Sequence, residues 1–151
     1  MKLILCAGER HIEGYKHHDV KAYPSTDYVC DLFDVAKLVG EGECEEIHFT
    51  HALEHFSKAD VPRVLALIYS LLKIGGRLYI EVPNFAWHAN LCLVEGKDRE
   101  AIYYAFGGQL DQWDFHKTGF TEKILEEDLR LAGFKHIEVS GYDSLKANCI
   151  K

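Results

Sequence analysis

The chain has 151 residues, 48% hydrophobic and 27% charged, a balance that is neither that of a disordered chain nor that of a membrane chain and suffices to bury a core. No apolar run approaches the ~18 residues that span a bilayer, and the first, Leu3-Ile4-Leu5-Cys6-Ala7, stops at Gly8-Glu9-Arg10, too short for a signal peptide. A net charge of −7 argues against a nucleic-acid partner, and five cysteines without a C-x-x-C spacing argue against a disulfide framework or a zinc ribbon. The expectation is one cytoplasmic domain over residues 1–151, with no membrane partner.

Lys2 to Cys6 is a short apolar run ended by Gly8 and reads as a buried strand. Tyr15 to Val20 and Asp27 to Leu32 read as the second and third strands, with His17-His18 expected on a solvated strand edge. Glu46 to Thr50 is the fourth, Ile47 and Phe49 alternating with polar neighbours. Val61, Val64, Leu65, Ile68 and Leu72 then recur at helical spacing. Ser57 with Asp60 resembles a capping box, Pro62 is tolerable in the first turn, and Gly75-Gly76 is expected to close the helix. Arg77 to Val82 is a strand stopped by Pro83. Thr121 to Ala132 is a second helix, capped by Thr121 and ended by Gly133. His136 to Tyr142 and Leu145 to Ile150 form two last strands around a tight turn.

This alternation specifies an α/β fold: a doubly wound, Rossmann-like, mostly parallel sheet with an antiparallel C-terminal edge strand. Only about a dozen residues separate the first strand from Asp19, and about seven more reach Asp27. A parallel crossover with its helix takes ~10–12 residues or more. The first crossover helices are therefore reduced or absent, and one face of the sheet is thinly covered. Ligands of such sheets bind outside the carboxyl ends of the strands, which points to Ala7-Gly8, Asp19, Asp31-Leu32, Thr50-His51 and Pro83-Asn84.

Several stretches together resemble the class I S-adenosylmethionine-dependent methyltransferase family. LILCAGERHIEGYKHHDV resembles its first strand, glycine turn and second strand ending in an acid, and YVCDL its third strand. EIHFTHALEHF followed by LLKIGGRLYIEVPN matches the L-E-H…L-K-x-G-G-x-L…V-P-N signature of a compact bacterial and phage-type subgroup. DFHKTGFTEKILEEDLRLAGF matches the later H-K-x-G-F-T…A-G-F stretch. The chain departs at the first glycine turn, where relatives usually show two or three glycines and this sequence has Cys6-Ala7-Gly8.

The resemblance implies S-adenosylmethionine as cofactor, framed by Cys6, Ala7 and Gly8, with Asp19 on the ribose hydroxyls. It also implies Asp31 and the Leu32 amide at the adenine, with Thr50 and His51 among the cofactor-binding residues. Without it, Asp19 and Asp31 read more readily as ordinary strand-end turn residues. His51, Glu54 and His55 are spaced i, i+3, i+4, one face of a helical turn and a chelating arrangement for a divalent metal. His116 is a candidate fourth ligand, since related branches hold a metal with E-x-x-E-H and a distal histidine. His51 or His116 can instead act as a general base.

The segment 84–120 is expected to be a substrate-side insertion, with Trp87, Tyr104, Trp113, His116 and Lys117 as acceptor-binding candidates. The implied activity is methyl transfer to oxygen of a small or medium polar acceptor, such as a sugar or glycan precursor. The alternative is a catalytically silent partner or regulatory domain that binds the same cofactor. A nicotinamide enzyme is disfavoured because no G-x-G-x-x-G follows the first strand.

Overall fold

The computed structural model describes residues 1–151. The strands are β1 (Lys2–Leu5), β2 (Lys16–Asp19), β3 (Tyr28–Val29), β4 (Cys44–Thr50), β5 (Leu72–Pro83), β6 (Lys135–Gly141) and β7 (Ser144–Ile150). They form one sheet in the order β3-β2-β1-β4-β5-β7-β6. β3 to β5 run parallel, and β7 lies antiparallel between β5 and β6. The expected antiparallel edge is thus a pair of strands, with the reversed strand on its inner side.

The helices are α1 (Ala36–Val39), α2 (Val61–Leu71), α3 (Phe85–Leu93), α4 (Asp98–Phe106) and α5 (Glu122–Leu131). No helix is long and apolar enough to cross a membrane. Ser57 braces the start of α2: its hydroxyl donates to Asp60 at 2.6 Å and accepts from the Asp60 amide at 3.3 Å. Thr121 caps α5 by accepting from the Ile124 amide at 3.4 Å. The expectation for Gly75-Gly76 is corrected. α2 passes directly into β5 at Leu72, and the two glycines lie inside that strand, where its register against β4 shifts. A Cβ on Gly76 would stand 2.8 Å from the Lys73 carbonyl oxygen, so this irregular stretch requires glycine.

Helical cover lies on one face only. On that side Leu3, Leu5, Ile47, Phe49, Leu78, Ile80 and Val82 join Val64, Leu65 and Ile68 of α2 and Leu125 and Leu129 of α5 in one core. Successive strand residues point to opposite faces, and the other face carries Lys2, Glu46, His48, Arg77, Tyr79, Glu81, Lys146 and Asn148. The β1–β2 and β2–β3 connections contain no helix, as their lengths predict, and α1 is a single turn.

Loops take the place of the missing helices, and this overturns the solvated reading of His17-His18. Both are buried. His17 accepts from the Ile12 amide at 3.1 Å and stacks on His11 at 4.9 Å, which seats the β1–β2 loop. His18 lies between the Cys6 amide at 3.4 Å and the Cys30 carbonyl at 3.0 Å, and burial pushes its pKa below the ordinary value. Each histidine supplies hydrogen bonds to backbone that lacks regular structure.

Residues 85 to 119 leave and re-enter the fold side by side. Asn84 and Phe120 form an isolated bridge, and the Phe85 amide donates to the Phe120 carbonyl at 2.9 Å.

Candidate functional site

Strand order reverses between β1 and β4, and in open α/β sheets the crevice at that point takes the ligand. A cleft of about 540 Å³ opens there. Cys6, Ala7 and Gly8 line it from the end of β1, Asp19 from β2, Asp31 and Leu32 from beyond β3, and Thr50 and His51 from β4. The structure therefore brings together every residue that the sequence assigns to a cofactor.

The first turn is shaped by backbone conformation. Gly8 has φ +57° and Cys6 φ +51°, and the Arg10 amide closes the turn on the Ala7 carbonyl at 3.1 Å. A Cβ on Gly8 would meet nothing within 4 Å, so the single glycine serves its φ rather than close packing. Asp19 then joins two strand ends. One carboxylate oxygen accepts from the Gly8 amide at 2.8 Å and the other from the Lys21 amide at 2.9 Å. Asp31 caps a short 3-10 turn by accepting from the Phe33 amide at 2.9 Å. Burial, reinforced by Asp19, pushes the Cys6 thiol pKa upward, so this cysteine is no thiolate nucleophile.

The histidine cluster differs from its expected form. The turn after β4 covers only Leu53–His55, and His51 precedes it at φ +50°, off the shared helical face. The ligating atoms of Glu54, His55 and His116 lie within 4.8 Å of one another, a set of three that does not include His51. His51 stands instead between two carboxylates, 3.7 Å from Glu54 and 3.5 Å from Glu81. Its pairing with Glu54, with a further contribution from Glu81, raises its pKa against the opposing effect of burial.

Glu54 is 2% exposed, and its Oε2 has no hydrogen-bond partner. His55 Nδ1 faces the Phe115 carbonyl at 3.2 Å, and His116 Nδ1 the Tyr104 carbonyl at 2.8 Å. A carbonyl only accepts, so in the neutral ring each Nδ1 carries the proton and each Nε2 the lone pair.

The acceptor candidates divide. Trp113 and Lys117 line the cleft with His51 and His55. His116 lies behind His55, ring centroids 5.0 Å apart, against a small cavity shared with Glu54 and His88. Trp87 and Tyr104 do not reach the cleft. Tyr104 stacks on buried His88 at 4.6 Å and Trp87 packs on Tyr142 at 5.6 Å, so these rings cement α3 and α4 to the body of the fold.

Sequence reasoning passed over several cleft residues: Arg10, His18, Lys21, Tyr23, Asp111 and Asp114. Lys21 and Asp111 form an ion pair that ties the end of β2 to the strap after α4. Gly107 shapes that strap, because a Cβ there would stand 2.4 Å from the Asp114 carbonyl oxygen. Arg10 carried the one usable signal, a cation two residues beyond the glycine turn.

No protein-family model matches this sequence, and no curated protein matches it either. Solved structures do match in fold. An S-adenosylmethionine-dependent methyltransferase from Archaeoglobus fulgidus superposes with a TM-score of 0.71 at 14% identity, over 99% of this chain and 85% of that one. The 1,6-didemethyltoxoflavin-N1-methyltransferase of Burkholderia thailandensis, with bound 1,6-didemethyltoxoflavin and S-adenosylhomocysteine, gives 0.64 at 19% identity, over 99% and 70%. Human N-acetylserotonin methyltransferase in complex with S-adenosylmethionine gives 0.62 at 12% identity, over 99% and 47%. At these identities the likeness is one of fold, that of the class I S-adenosylmethionine-dependent methyltransferases.

Proposed function

We propose that this chain is an S-adenosylmethionine-dependent methyltransferase that methylates an oxygen of a small or medium polar acceptor, with a sugar or glycan precursor as the first candidate. The observation that carries this reading is Asp19: a carboxylate at the end of β2, bonded to the glycine turn of β1, inside a cleft at the strand-order reversal of this fold. The cleft volume falls within the about 300–1,000 Å³ of small-molecule sites. Asp19 keeps lone pairs for two ribose hydroxyls beyond those used by the backbone amides. Asp31 and the Leu32 amide would hold the adenine, and Cys6 to Gly8 with Thr50 and His51 would frame the amino-acid end.

The cofactor, when bound, supplies a methyl group already activated on a positively charged sulfur. What remains for the protein is to align the acceptor and remove its proton. Trp113 and Lys117 supply one wall for that alignment. His55 is the best-placed base, since it lines the cleft with an Nε2 lone pair that the Phe115 carbonyl secures through Nδ1. His51 has a raised pKa and stays protonated to higher pH than an ordinary histidine, so it accepts a proton only above that value. His116 supports the pair from behind. A divalent metal fits the same cluster, because the orphaned Glu54 Oε2 and the two Nε2 lone pairs form a hard and borderline donor set. Glu54, His55 and His116 would hold it, and it would lower the pKa of the acceptor hydroxyl.

Calorimetry with S-adenosylmethionine and S-adenosylhomocysteine tests the reading. Binding by neither overturns it. Asp19→Ala is expected to weaken binding about tenfold or more, the loss of a charged hydrogen-bonding group, and an unchanged affinity removes the ribose assignment. The pH–rate profile separates the histidines. If His51 is the base, the rate climbs through a pKa above its ordinary 6.5 and the climb disappears in His51→Ala. The loops that replace the first crossover helices favour a second reading, the catalytically silent cofactor-binding domain. Transfer of labelled methyl to any acceptor rules that out.

A further inference from the structure

The cations of the cleft are not equivalent. Lys21 is engaged by Asp111. The Arg10 guanidinium bonds the Thr50 hydroxyl, and no carboxylate pairs with it, although Glu9 and Glu13 lie close in sequence. In a chain of net charge −7, an arginine that lines a cleft without an acidic partner is free to receive an anion. Its place is fixed from both ends. The turn bond from its amide to the Ala7 carbonyl sets the backbone, and Thr50 holds one arm of the guanidinium.

The sheet gives the direction of an elongated ligand. β2, β1 and β4 are successive neighbours, so the ends carrying Asp19 and Thr50 stand on the order of 10 Å apart at ~4.8 Å per strand. With ribose at Asp19 and adenine beyond β3, the remaining length of the cofactor runs across β1 to β4. A ligand laid that way would bring its α-carboxylate to the end of β4, where Arg10 bonds Thr50. Lys21 stands on the ribose side, and Lys117 stands on the strap beyond His55.

Resting on the proposed cofactor, we infer that Arg10 binds the α-carboxylate of S-adenosylmethionine and is the charged anchor of its amino-acid end. The planar guanidinium can meet a carboxylate with two parallel N–H donors, a geometry that an ammonium group cannot match. This anchor offsets the spare glycine turn. Cys6-Ala7-Gly8 offers few free amides to the ligand, since the Cys6, Ala7 and Gly8 amides are taken by His18, the His18 carbonyl and Asp19.

Calorimetry on the whole chain with three probes decides the matter: S-adenosylhomocysteine, its decarboxylated analogue, and 5′-methylthioadenosine, which lacks the amino-acid end. Arg10→Ala is expected to weaken S-adenosylhomocysteine about tenfold to a hundredfold, the range of a charge-assisted hydrogen-bonded pair. It should leave the other two probes within about twofold, because loss of the arginine and loss of the carboxylate remove the same contact. Arg10→Lys should recover only part of the affinity. Equal weakening of all three probes overturns the assignment and makes Arg10 a structural residue of the turn. Unchanged S-adenosylhomocysteine binding in Arg10→Ala, with a selective loss in Lys117→Ala, moves the carboxylate to the strap. Methylthioadenosine binding by the unsubstituted protein tests the cofactor reading separately. Its presence leaves that reading standing whatever Arg10 does, and failure of all three probes ends both.

Discussion

The two faces of the sheet solve the same problem in opposite ways. On one, Leu3, Leu5, Ile47, Phe49, Leu78, Ile80 and Val82 lie under α2 and α5 and are all but inaccessible. On the other, the same strands present Glu46, His48, Arg77, Tyr79 and Glu81 with no helix above them. There Glu46 accepts from Tyr15 and His48, and pairs with Arg77 at 3.0 Å and Lys2 at 3.6 Å, while Tyr79 donates to Glu81 at 2.9 Å. The difference teaches that a doubly wound sheet can shed a helical layer where its central strands alternate as β4 and β5 do; β1 is the exception, with Leu3, Ile4 and Leu5 all buried. Parallel strands covered on both sides read as continuous apolar runs, whereas Arg77-Leu78-Tyr79-Ile80-Glu81-Val82 does not.

Substitutions on each face can break this comparison. The largest effect is expected for Phe49→Ala, a cavity under the helices worth about 3–5 kcal/mol and read as a lower urea midpoint. A loss below about 1 kcal/mol would show that the helical face is not the main core. Glu46→Gln should cost about 1–3 kcal/mol near neutral pH. The bond from Tyr15, then those from His48 and Arg77, holds the Glu46 carboxyl at about 2, below its ordinary 4.5. A depressed carboxyl pKa stabilises the fold fully above its unfolded value, and that share is lost as pH falls from 4.5 toward about 2. The gap between wild type and Glu46→Gln should therefore close in acid. A gap independent of pH would mean that the charge itself contributes nothing. The smallest effect is expected for Lys146→Ala, whose side chain is 54% exposed and whose ammonium lies 4.0 Å from Glu81. It should change stability by less than about 0.5 kcal/mol, and a larger loss would show that the polar network of the open face contributes more than an exposed ion pair does.

Much of this was legible because it is local. Alternation in β4 announced one buried face, and the short intervals before Asp19 and Asp27 announced the missing helices. Glycine and acids at the strand ends marked the cleft. What escaped depends on residues distant in sequence. His17 and His18 are buried by loops whose course no periodicity encodes. His51 fell out of the ligand set because i, i+3, i+4 spacing places groups together only on a helix, and the backbone there turns left-handed first. Trp87 and Tyr104 carry the composition of a binding wall, yet their neighbours are His88 and Tyr142. Lys21 and Asp111 meet across 90 residues, a closure that only the folded chain can make.

The bridge between Asn84 and Phe120 bears on how such a protein can change. Because residues 85 to 119 depart and return through one pair of neighbouring positions, their length can vary without displacing the strands, while Asp111 and Lys117 still join them to Lys21 and to the Glu54 carbonyl. Closing a longer loop adds only about 0.6 kcal/mol per doubling. The segment behaves as an exchangeable cassette: grafted from one such domain to another at these two residues, it would carry Trp113, His116 and Lys117 with it and leave Asp19 and its glycine turn untouched.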